Sequence, residues 1–101
     1  MHIIADICVI PTTGSLSLRR EIARAHAILR DTGLPVHLHP FGTVIEGEYD
    51  VVMAAVKRIH EELHAGGAPR ITTTIKLGSR TDKAQTGADK VAAVEAELAD
   101  G

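Results

Sequence analysis

From His2 to Ile10 the chain alternates. Ile3, Ala5, Ile7 and Val9 fall on one face of an extended segment; His2, Ile4, Asp6, Cys8 and Ile10 fall on the other. The first face is wholly apolar and the second is mixed, which predicts a strand over 2–10, ended by the turn-forming stretch Pro11–Ser15. The period then changes. Leu18, Ile22, Ala25 and Leu29 follow the i, i+4, i+7, i+11 spacing of one helical stripe. This predicts a helix over 17–32, with Ser17 as N-cap and Gly33 at the C′ position. Val36 and Leu38 oppose His37 and His39 in a second strand, 34–41, which Pro40 closes or marks as an edge. A turn near Phe41–Gly42 leads to a third strand, 43–47, antiparallel because the connection is short. Val52, Val56, Ile59 and Leu63 repeat the helical stripe over 50–65, with Asp50 as cap. Ile71, Thr73, Ile75 and Leu77 alternate with Arg70, Thr72, Thr74 and Lys76 in a fourth strand, 70–78. Val91, Val94 and Leu98 mark a weaker last helix, from about 88 to 99.

The order β-α-β-β-α-β plus a terminal helix predicts an α+β, ferredoxin-like sandwich. Both crossover helices cover one face of a four-stranded antiparallel sheet. The other face carries Ile4, Asp6, Cys8, His37, His39, Thr72, Thr74 and Lys76. Such a mixture of apolar and ionisable groups calls for a subunit, a ligand, or both to cover it.

Length and composition narrow the picture. A chain of 101 residues is expected to be a single domain, 1–101. At this size about two thirds of the unfolded surface is buried, so self-association helps. Phe41 and Tyr49 are the only aromatics, so the core is aliphatic. The formal net charge of −2 lacks the basic footprint of a nucleic-acid binder. An RNA-recognition domain shares the strand order but stacks bases on strand aromatics, absent from 2–10 and 70–78. Cys8 is the single cysteine, which excludes an intrachain disulfide; it reads as a small, partly buried thiol. No signal segment or membrane-length apolar run occurs, so a cytoplasmic protein away from the membrane is expected.

Candidate chemistry is sparse. His37 and His39 share a strand face, and His60 and His64 stand i, i+4 on a helix. Neither pair carries the Cys-x-x-Cys or His-Glu-x-x-His context of a metal site, and no metal is expected. No nucleophile elbow is present, and the first loop has none of the arginine that an acylphosphatase-like enzyme needs there. Catalytic residues are therefore not expected. "PTTGSLS" is a faint phosphate-cradle pattern with one glycine, whose amides suit a small anion or polar ligand atom. Glu46, between Ile45 and Gly47, is unusual for a strand. With Ile45 under the helices it joins Asp6 on the open face, because burying an unpaired carboxylate costs several kcal/mol. On the residues alone, a cross-strand ion pair with Lys76 or Arg70, or a solvated edge position, is preferred to a ligand contact. The loop "SRTDKAQTGADK" either packs on a neighbouring subunit, closes over a ligand, or is a solvated connector.

Three stretches, "ADICVIPTTGSLSLRREIARA", "HPFGTVIEGEYDVVMAAVKRIHEEL" and "RITTTIKLGSRTDK" with "KVAAVEAEL", together resemble the thiamine-binding protein family, the small YkoF-like proteins. The most specific part is Pro40, Gly42, Thr43, Val44, Ile45, Glu46 and Gly47, supported by Val9–Ile10–Pro11 and by Arg80, Asp82 and Lys83. The resemblance implies a ferredoxin-like fold that associates through its sheets into dimers and tetramers. It implies binding, without catalysis or cofactor, of thiamine or its hydroxymethylpyrimidine part, in salvage or transport. Glu46 or Asp6 would then accept from the amino group and balance the thiazolium. Thr43 and Ser15 would read ring nitrogens or the hydroxyethyl tail, and His37 or His39 would stack on a ring. The alternative is a structural or regulatory homo-oligomer with no thiamine affinity; an enzyme is a third class.

Overall fold

The computed structural model describes all 101 residues. Its elements are β1 (His2–Thr12), α1 (Arg19–Arg30), β2 (Val36–His39), β3 (Gly42–Glu48), α2 (Tyr49–Ala65), β4 (Arg70–Gly78) and α3 (Gly87–Asp100). The sheet order is β2-β3-β1-β4, and every neighbouring pair is antiparallel. This is the expected ferredoxin-like sandwich. Two split βαβ units interlock, with β3 lying between β1 and β2, and β1 between β3 and β4.

The apolar faces meet as their periods dictate. Ile3, Ala5, Ile7 and Val9 of β1 and Ile45 of β3 are buried against Ile28 and Leu29 of α1 and Val52, Val56, Ile59 and Leu63 of α2. The α2 stripe is the one the spacing predicts. The α1 stripe is shifted: Ile28 is buried, and Ile22 is 42% exposed, lining a shallow cavity together with Pro40 and Phe41 of the β2–β3 turn.

Element ends differ from the sequence expectations where backbone geometry overrides residue preference. β1 runs through Pro11 to Thr12. Beyond Ile7 only β4 pairs with it, so a residue without an N–H is tolerated on the vacant side. Ser17 is not the α1 cap; Leu18 holds that position with no side-chain bond. Gly33 lies two residues past the capping Asp31, at φ +75°. Glu48, not Asp50, holds the α2 cap position, and Asp50 sits in the first turn, where its charge opposes the helix dipole favourably.

Gly42 sits where β3 starts beside β1. A Cβ there would lie 2.5 Å from the Ile7 carbonyl oxygen and 3.3 Å from Asp6 Oδ1. The nearer atom is backbone inside a paired strand and has little room to move. Gly42→Ala is therefore expected to cost about 1–3 kcal/mol in urea unfolding. A loss below about 0.5 kcal/mol would show that the strand end shifts freely.

Candidate functional site: a cavity on the open sheet face

Glu46 does face away from α1 and α2, but it is neither solvated nor paired with Lys76 or Arg70. It is only 7% exposed, and its Oε1 accepts a hydrogen bond from the Gly87 N–H at 2.8 Å. Gly87 is the first residue of α3, so the carboxylate meets the positive end of that helix. A buried charge with a fixed donor and an aligned dipole avoids the cost that an unpaired one carries. Gly87 also allows the approach, because a Cβ there would stand 2.6 Å from Glu46 Oε2. Thr86 caps the same helix. Its hydroxyl accepts from the Asp89 N–H at 3.0 Å, and Asp89 Oδ2 accepts from the Thr86 N–H at 2.9 Å. These bonds from Thr86, and then the charge of Lys83, hold the Asp89 carboxyl below its usual range.

The anchored start of α3 makes one wall of a cavity of about 790 Å³. Ile4, Asp6, Val44 and Lys76 form its floor on the open face, the segment from Gly78 to Thr86 forms the side, and Lys90 reaches in from α3. The volume is within the range of small-molecule sites. Asp6 is held from one side: His39 Nε2–H donates to Asp6 Oδ1 at 2.6 Å, while His39 Nδ1 accepts from the Phe41 N–H at 3.3 Å. Both contacts are met by one imidazole tautomer, which fixes the ring. Asp6 lines the cavity, and its Oδ2 makes no protein hydrogen bond. In the side wall, Arg80 donates Nε–H to Asp82 Oδ1 at 2.7 Å and also bonds Gln85. The guanidinium lowers the Asp82 carboxyl to about 2, so this pairing persists through neutral and mildly acidic pH and fails only as pH falls toward that value.

The six residues expected to contact a ligand therefore separate. Asp6 lines the cavity, and His39 positions it. Glu46 lies behind the wall as the anchor of α3. Thr43 is on the opposite face: it pairs with Ile7, is buried, and shares a hydrogen bond with His26 Nδ1 at 3.2 Å. It follows the side-chain alternation of Ile45, which takes it under α1. Ser15 is at the far end of β1, where its Oγ donates to the Ser17 carbonyl at 3.1 Å. The faint anion cradle of that loop is thus remote from the cavity. His37 is exposed on the short edge strand β2, outside the lining. His60 is bonded to Thr73 at 2.7 Å on the helix side, so the i, i+4 histidine pair is also apart from the site.

Lys83, Thr86 and Lys90 belong to the loop for which closure over a ligand is one of three sequence expectations; no individual residue of it stands out, because a polar loop has no periodicity to orient it. Two signals did exist. Thr86-x-x-Asp89 is a capping-box spacing that fixes the start of α3. The lysines at 76, 83 and 90 then flank one turn of chain.

The sequence pattern of the thiamine-binding protein family matches residues 5–95. UPF0045 protein sll0230 of Synechocystis is 45% identical over 98 residues, spanning 97% of this chain and 81% of the relative. UPF0045 protein ECM15 of Eremothecium gossypii is 42% identical over 101 residues, spanning 99% and 96%. Among solved structures, hypothetical protein MJ1052 of Methanocaldococcus jannaschii superposes with a TM-score of 0.86 at 26% identity, covering 93% of this chain and 96% of its own. Thermotoga maritima TM0486, a protein proposed to act in thiamine biosynthesis or salvage, superposes at 0.80 with 23% identity, covering 93% and 99%, a likeness of fold. The match over most of the chain, the strand order and the two relatives above 40% identity agree: the chain belongs to the thiamine-binding protein family.

Proposed function

We propose that the protein binds thiamine or its hydroxymethylpyrimidine part in the open-face cavity, without catalysis, and that it does so as a homo-oligomer. The observation that carries the reading is Asp6. One carboxylate stands on an apolar floor of Ile4 and Val44, oriented by His39, with Oδ2 free to accept from an exocyclic amine. Family membership supplies the ligand class. The arrangement suits recognition: it has a fixed acceptor and an apolar platform, and it has no nucleophile paired with a base. Salvage or transport of thiamine, in the cytoplasm, is the role this reading implies. Assembly is supported by α3, whose Val91, Val94 and Leu98 are 58%, 60% and 75% exposed in the single chain.

Calorimetric titration of thiamine and of hydroxymethylpyrimidine tests the reading. Saturable heat is expected, and Asp6→Asn should weaken it about tenfold or more, the scale of one hydrogen bond to a charged group. Absence of heat with folded protein, or full affinity in Asp6→Asn, would overturn it. Absence of heat with an intact oligomer would favour the assembly reading alone.

A further inference from the structure

We propose that the cavity contains a phosphate subsite, formed by Lys76, Lys83 and Lys90, so that the ligand is held as its phosphate or diphosphate ester. The pyrimidine end rests on the reading of Asp6 above; the subsite rests on separate residues.

Charge bookkeeping across the lining motivates the assignment. The cationic side chains are Lys76 from β4, Arg80 and Lys83 from the side wall, and Lys90 from α3. Arg80 is engaged by Asp82 and Gln85. None of the three lysines forms an ion pair, although Asp6 is the register partner of Lys76. Asp6 turns to His39 instead. The lining thus presents three ammonium groups against one carboxylate, and that carboxylate is already hydrogen-bonded.

Three exposed like charges that line one concavity raise its positive potential and disfavour a further cation there. An anion between them offsets that potential. Free thiamine does the opposite, since its permanent thiazolium cation adds a further positive charge. Hydroxymethylpyrimidine is neutral and leaves the lysines uncompensated. A phosphate ester matches both ends, with its amino group toward Asp6 and its oxygens among the ammonium groups and the Ser79 hydroxyl in the same wall. The distribution is polar in the same sense: the acid is on the sheet floor, and Lys83 and Lys90 are on the wall and helix. The volume of about 790 Å³ accommodates the longer ester.

The test compares four probes at low and high salt: hydroxymethylpyrimidine, its phosphate, thiamine diphosphate and inorganic pyrophosphate. Each is titrated into the wild type, into Lys76→Gln/Lys83→Gln, and into Lys76→Arg/Lys83→Arg. The phosphate is expected to bind about tenfold or more tightly than its alcohol, with the advantage shrinking as salt rises. The glutamine pair should erase most of that advantage and the arginine pair should retain it. Equal or weaker binding of the esters, or an advantage that survives in the glutamine pair, would overturn the subsite. In that outcome an Asp6-dependent affinity for the unphosphorylated compounds leaves the function reading standing. Conversely, lysine-dependent binding of pyrophosphate and of the esters, with no affinity for hydroxymethylpyrimidine and no loss in Asp6→Asn, would keep the subsite and remove the function reading. If circular dichroism shows either double variant unfolded, single Lys90→Gln carries the comparison, with the same two outcomes.

Discussion

Replacing Glu46 with alanine is expected to release the start of α3, seen as a loss of about tenfold or more in hydrogen-exchange protection at Gly87. The reasoning is local. The carboxylate is the acceptor for the Gly87 N–H and the negative charge at the helix N-terminus. An N–H left without an acceptor in a part-buried site costs about 1–3 kcal/mol, and a charge–dipole contact adds about 0.3–1 kcal/mol. No other hydrogen bond or ion pair joins α3 to the sheet, and none of its residues is buried. The free-energy loss should therefore stay in that helix, and β1 and β3 amides should keep their protection. Glu46→Gln is the informative partner, since an amide oxygen still accepts while the charge is gone; its effect should be smaller than that of alanine. Because the same wall carries Lys83 and Lys90, ligand affinity should fall with the loss of protection in both variants. Unchanged exchange at Gly87 in Glu46→Ala would remove Glu46 as the anchor.

The contrast between Glu46 and Ile45 shows what a sequence discloses. Ile45 belongs to a period-2 pattern whose other members are Ile3, Ala5 and Ile7, so its burial follows from alternation alone. The α2 stripe is equally legible, because four residues repeat one spacing. Glu46 was assigned to the correct face by the same logic, yet its partner was not visible: Gly87 is 41 positions away in a segment without periodicity. Thr43 lies apart from the cavity for a different reason. It was chosen for its hydroxyl, whereas the register set by Ile45 already put it under α1 with His26. Patterned elements could be read one at a time. The cavity arises where an unpatterned loop crosses a patterned sheet, and no single stretch of chain encodes that.

Substituting Val94→Asp and Leu98→Asp together is expected to convert an oligomer into monomers without unfolding the domain. The single chain is longer than a compact domain of its size: its radius of gyration is 15.4 Å against about 13 Å expected, and its principal extents are 50, 29 and 19 Å. α3 accounts for the excess, since it projects from its anchored start and presents Val91, Val94 and Leu98 to solvent. Its last turn contains no basic residue to meet the helix dipole, so little within α3 stabilises its far end. A second copy that covered the stripe would bury three apolar side chains at about 1.5–3 kcal/mol each, enough to hold the helix straight. Two aspartates in such a contact would be desolvated and unpaired, weakening association about a hundredfold or more. On an exposed helix the same residues change folding stability by less than about 0.5 kcal/mol, so the domain itself should survive. Light scattering gives the mass, and the melting temperature should rise with wild-type concentration but not with that of the variant. A wild-type monomer with a concentration-independent melt would sink the idea and leave the apolar stripe of α3 to a different partner.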